Sequence, residues 1–112
     1  MEMSDIRTKE VDDLLRVLAV LDDEDVMFAL LEDMFTIREI RETSQRLAVA
    51  RLLSEGKSYA KIEKETGASA TTIARVSKCL SYGSGGYAAA LAVLSPCGDE
   101  APDAGEAVSD EA

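Results

Sequence analysis

The sequence predicts an all-α protein of about six helices arranged around a central helix-turn-helix. Three observations predict it. Apolar residues recur at helical spacing in one stretch after another, beginning with Val11, Leu14, Leu15, Leu18 and Leu21. Capping residues and glycines divide these stretches, notably at Thr36, Gly56, Ser58, Gly67 and Ser69. The charge is also unevenly spread. Residues 1–43 hold 13 acids and 5 bases (net −8), residues 44–82 hold 3 acids and 7 bases (net +4), and residues 83–112 hold 6 acids and no base (net −6). The total of −10 argues at first against nucleic acid. Yet the basic middle third coincides with the helix-turn-helix, and local field governs how phosphate approaches. The acidic total predicts weak non-specific binding.

Residues 5–21 read as the first amphipathic helix. The run Asp22-Asp23-Glu24-Asp25 breaks its stripe and places acids where the N-terminal dipole of the next helix favours them. The same run lacks the alternation and the glycine of a calcium loop. Met27, Leu30, Leu31 and Met34 carry the second helix to about Phe35.

Thr36 with Glu39 three residues on fits a capping box. The helix it opens is expected to run to Ser54 or Glu55, with Gly56 as its stop. Leu47, Ala48, Val49, Ala50, Leu52 and Leu53 spread over more than one face of it. Such a helix needs cover on two sides. A chain of 112 residues is one domain and short enough that a second subunit is the natural cover, which predicts a dimer.

Ser58 caps the next short helix, and Gly67 ends it where a left-handed backbone is usually required. Ser69 caps a second helix, expected over 70–80, with Ile73, Val76 and Leu80 as its buried stripe. Thr71, Thr72, Arg75 and Lys78 lie on the other face, with no acid among them. A short helix, a glycine turn and a polar, basic second helix form the pattern of a DNA-binding helix-turn-helix. A plain helical hairpin shares its caps and stripe, and Glu63 stands where the motif commonly has a small inner residue. Ser69, Ala70, Thr71 and Thr72 form the turn expected to meet base edges, and Lys57, Lys61, Arg75 and Lys78 are the expected phosphate contacts.

Ser81 to Gly86 reads as a connector, since the lysine and Ser/Thr of a phosphate loop are missing. Tyr87 to Leu94 is expected to be a short helix. From Ser95 on there is almost nothing to bury, which predicts a disordered acidic tail over 95–112.

Cys79 and Cys97 are neither a disulfide framework nor a metal pair, and histidine is absent. Cys79 is expected to be a small packed residue. No metal or other cofactor is expected. There is no coherent nucleophile and base, so an enzyme is not expected. Ser58-Tyr59-Ala60-Lys61 matches Ser-x-x-Lys, but a cap with a solvent-facing lysine explains it without companion motifs. No apolar run reaches the length of a membrane span, and the N-terminus is acidic, so a cytoplasmic, reduced protein is expected.

Residues 36–46, 47–56 and 66–77, in that order, resemble the tryptophan-repressor superfamily. Thr72-Ile-Ala-Arg-Val-Ser-Lys-Cys-Leu-Ser-Tyr-Gly, with Gly86-Tyr87 shortly after, is more closely similar to the TrpR-related YerC/YecD group. The resemblance covers about residues 9–94. It implies an all-α, intertwined homodimer that regulates transcription by binding double-stranded DNA, within a domain over 1–94 and a helix-turn-helix over 58–80. It also implies an amino-acid site. Thr36, Arg46 and Arg75 match the positions that hold the ligand there. Val76 stands where the family has the glycine that leaves room for an indole, and Cys79 replaces a serine. A repressor-like regulator that does not use tryptophan is therefore expected. The alternative is an acidic helical dimer that docks a protein and has no DNA contacts.

Overall fold

The computed structural model describes residues 6–95, which form six α-helices and no strand. They divide into two compact units, one ending at Ile40 and the other beginning at Arg41.

The first unit holds α1 (Lys9–Val20), α2 (Glu24–Met34) and the opening turn of α3 (Ile37–Ser54). α1 starts later than the apolar spacing predicts, because Thr8 is its N-cap: the Thr8 hydroxyl accepts from the Val11 amide at 3.3 Å. Asp23 caps α2, accepting from the amides of Asp25 and Val26 at 2.9 and 3.2 Å. The acid run is thus a helix start, and no group of metal-ligating side chains occurs among the described residues. The capping box opens α3 as expected. The Thr36 amide donates to Glu39 Oε1 at 2.9 Å, and the Glu39 amide donates to Thr36 Oγ1 at 3.1 Å. Neither α1 nor α2 contains a buried residue.

The second unit holds the rest of α3 with α4 (Tyr59–Thr66), α5 (Ala70–Tyr82) and α6 (Gly86–Leu94). Val49 and Ala50 of α3, Ile62 of α4, Ala68 of the turn, and Ile73 and Val76 of α5 form its core. Leu52, Leu53, Leu80, Tyr87 and Leu91 pack around them. Burying a branched aliphatic side chain such as Ile62 contributes roughly 1.5–3 kcal/mol.

Three expectations require correction. α5 runs two residues past Leu80, through Ser81 and Tyr82, and ends where the Gly83 amide donates to the Cys79 carbonyl at 2.8 Å. A β-carbon at Gly83 would collide with that same carbonyl, so the stop sits at Gly83 and not at Ser81. Cys79 is an exposed free thiol and not a packed residue, because the inward side of its turn is taken by Val76 and Leu80. Glu63 is exposed as well; the inner residue of α4 is its neighbour Ile62, so the acid does not disturb the motif. The tail lies outside the described residues beyond Ser95, as does Cys97. No helix among the described residues is long and apolar enough to cross a membrane.

Candidate nucleic-acid interface

The two helices of the motif are set by local chemistry at each end. The Ser58 hydroxyl accepts from the Lys61 amide at 3.2 Å. Gly67 closes α4 with φ +77°, a left-handed conformation that glycine adopts without steric cost. The turn is also held from outside. Gln45 Nε2 on α3 donates to the Thr66 carbonyl at 3.0 Å. The Thr66 hydroxyl donates to the Ile62 carbonyl at 2.7 Å and accepts from the Ala68 amide at 3.1 Å. These three bonds pair polar groups in a half-buried turn, where each would otherwise be costly to leave unmade. α4 packs on α5 across this turn, with Ile62 and Ile73 in one core.

At the head of α5 the hydroxyls are unequal. Ser69 accepts from the Thr72 amide at 3.2 Å and donates to the Thr72 hydroxyl at 3.1 Å. Ser69 and Thr72 therefore satisfy each other. Thr71 is exposed and its hydroxyl makes no hydrogen bond among the described residues; the methyl of Ala70 is exposed beside it. Within the expected reading turn, Thr71 is the side chain left available.

The basic residues also separate. Arg75 and Lys78 are exposed on α5 and form no ion pair among the described residues, and half-buried Lys57 forms none either. Lys61 is paired with Glu65 at 3.0 Å on the surface of α4. Such an exposed pair contributes at most about 1 kcal/mol and yields to a phosphate at little cost. α5 contains no acid along its whole length, so the exposed face of the second helix is uniformly neutral or positive.

Two of the three ligand positions taken from the resemblance lie in the second unit and meet there. Arg46 and Arg75 line one cavity of about 260 Å³ with Val76, Cys79 and Tyr87. Arg46 is half-buried and donates to the Thr43 hydroxyl at 3.4 Å. Thr36 belongs to the other unit, where its hydroxyl caps α3. Val76 is 1% exposed and its side chain belongs to the core.

Gln45, Thr66 and Tyr87 are the residues that sequence reasoning missed. Thr66 stood next to the glycine, a position from which a hydroxyl commonly braces a turn. Gln45 and Tyr87 gave no local signal, since each acts on residues far along the chain.

Comparison with known proteins bears on the family and the fold. A model of the Trp repressor protein family matches residues 9–95. The uncharacterized protein YerC of Bacillus subtilis (strain 168) is 46% identical over 91 residues, covering 81% of this chain and 88% of YerC. A crystal structure of a candidate Trp repressor from Staphylococcus aureus superposes with a TM-score of 0.78 at 34% identity, over 84% of this chain and 94% of that one. A TrpR-like protein from Eubacterium eligens ATCC 27750 gives 0.77 at 38% identity, over 81% and 94%.

Proposed function

We propose that this chain, which belongs to the Trp repressor protein family, is a sequence-specific DNA-binding transcriptional regulator and not an enzyme. The observation that carries this is the acid-free exposed face of α5, presented behind a turn fixed by Gly67, Gln45 and Thr66. Thr71 and Ala70, with Ser69 and Thr72 behind them, meet base edges. Arg75, Lys78, Lys57 and a released Lys61 meet phosphates. The working domain is residues 1–94 and its place is the cytoplasm.

The regulator acts as a homodimer. Leu15, Leu18 and Phe28 are exposed in the unit ending at Ile40. In the other unit Leu47, Ala48, Leu52 and Leu94 line a hollow of about 370 Å³, with Arg51, Glu65 and Thr66 completing its wall. Apolar surface on both units calls for cover, and a second copy supplies two recognition helices for two half-sites. Tryptophan is not the corepressor, because Val76 is where an indole would need room.

The test is selection of genomic fragments by the purified full-length protein without added effector. Enrichment of a shared, two-fold-related sequence is expected. No fragment preference at low salt would favour instead a helical dimer that docks a partner protein.

A further inference from the structure

We infer that residues 96–112 compete with DNA for the basic face of the helix-turn-helix in their own chain, holding it below its full affinity. The inference rests on the DNA-binding reading above and concerns its regulation. On α5, Arg75 and Lys78 form no ion pair among the described residues, and neither do Lys57 just before α4, Lys64 of α4 or Arg46, which lines a cavity with Arg75. Lys61 and Arg51 already face Glu65 and Glu55 at 3.0 and 3.9 Å.

The complementary charge lies further along the same chain. Residues 96–112 contain Asp99, Glu100, Asp103, Glu106, Asp110 and Glu111 and no base. They follow α6, which packs directly on α5. The last residue of α6, Leu94, lines a hollow with Arg51 of α3 and Glu65 and Thr66 at the end of α4. The acidic segment begins two residues after Leu94 in the sequence. A chain spans at most about 3.3–3.6 Å per residue, so Asp99 can lie up to about 14 Å from Ser95 and Glu111 up to about 55 Å. α5 is only about 20 Å long at 1.5 Å per residue. The acids of the distal half, from Glu106 on, have a reach longer than α5 itself.

Exposed ion pairs are individually weak. Tethering places the acids near the cations at an effective concentration in the millimolar range, which makes a weak contact compete. A millimolar contact under such a tether lowers DNA affinity about 2- to 10-fold. DNA, with more charge and released counterions, still displaces it.

The experiment compares the full-length protein with a full-length variant carrying Asp99→Asn, Glu100→Gln, Asp103→Asn, Glu106→Gln, Asp110→Asn and Glu111→Gln. Affinity for a mixed-sequence duplex is measured at about 50 and 200 mM salt. Zero-length carbodiimide crosslinks are mapped in the unmodified protein. The variant is expected to bind about 2- to 10-fold tighter at the lower salt, with the difference shrinking at the higher. Crosslinks should join Lys57 or Lys78 to carboxylates within 99–111 and disappear when DNA is added. Equal affinities overturn the proposal. Tighter binding without those crosslinks overturns it too, since the tail would then act only through net charge. If neither protein binds DNA, the DNA-binding reading itself falls, and the crosslinks alone decide whether the contact exists.

Discussion

The two units of the chain carry apolar stripes of similar kind and use them differently. From Arg41 onward, α3, α4 and α5 turn Val49, Ile62, Ile73 and Val76 inward until almost none of their surface remains. Up to Ile40, α1 and α2 bury nothing fully, and Phe28 is 54% exposed. The electrostatics divide in the same way: the first unit is acidic, and the second carries the basic face. Periodicity says which side of a helix wants cover; it does not say which chain supplies it. For the core residues of the second unit the cover is the neighbouring helix. In the first, the proposed cover is a second copy.

The largest expected effect tests the core side of that comparison. Ile62→Ala removes most of a fully buried side chain and should cost about 2–5 kcal/mol in chemical denaturation. The matching change on the other side is Phe28→Ala. A surface substitution usually stays within about 0.5 kcal/mol. If a second copy covers Phe28, its truncation costs clearly more, and the melting temperature of the unmodified protein rises with protein concentration. A melting temperature independent of concentration, together with a surface-sized cost for Phe28→Ala, would make the first unit a true surface and remove the homodimer.

Next in size is Gly67→Ala. A β-carbon there would meet only Gln45 Nε2 at 3.9 Å, an ordinary contact, so the cost is that of the left-handed backbone alone. That is about 1–2 kcal/mol. Because the strain sits between α4 and α5, DNA affinity should fall further than the stability loss accounts for. Equal melting temperatures for the two proteins would show that the turn is not held in this conformation.

What the sequence made legible was chemistry between near neighbours. Ser58, Ser69 and the Thr36–Glu39 box each act within three residues, and Gly67 acts through its own backbone; all four stand where the spacing put them. What it hid was chemistry across the fold. Gln45 reaches Thr66 over 21 positions, and Tyr87 joins Val76 and Cys79 at one cavity. The exposure of Cys79 had no local signature either, since a cysteine beside an apolar stripe is equally compatible with either side of it. Among the basic residues, sequence position did not distinguish the unpaired Arg75 and Lys78 from Lys61, which Glu65 occupies.

A smaller effect separates base reading from phosphate contact. Lys78→Ala removes one cation of the exposed face. It should weaken binding to every sequence alike and lower the salt slope by about 1. Thr71→Ala should instead flatten the preference among sequences and leave that slope unchanged. Should both variants lose affinity in the same proportion for all duplexes, the head of α5 does not read bases.

The smallest expected effect is none, and it concerns tryptophan. Arg46 and Arg75 bring two guanidinium groups to one cavity, a donor set suited to a carboxylate. Recognition of tryptophan also needs a flat slot beside that carboxylate. By the family resemblance the slot requires glycine where this chain has Val76. Val76 cannot swing aside to open it, because its side chain is locked among Ile62, Ile73 and Val49 in the core. Forcing extra bulk into such packing costs about 1–3 kcal/mol, enough to reduce affinity about 5- to 150-fold before any other loss. Calorimetric titration of tryptophan should therefore give no binding heat at micromolar concentrations, and DNA affinity should be the same with and without it. Binding heat in that range, or DNA binding that appears only when tryptophan is present, would show that the backbone around Val76 yields and that the cavity is a working indole site.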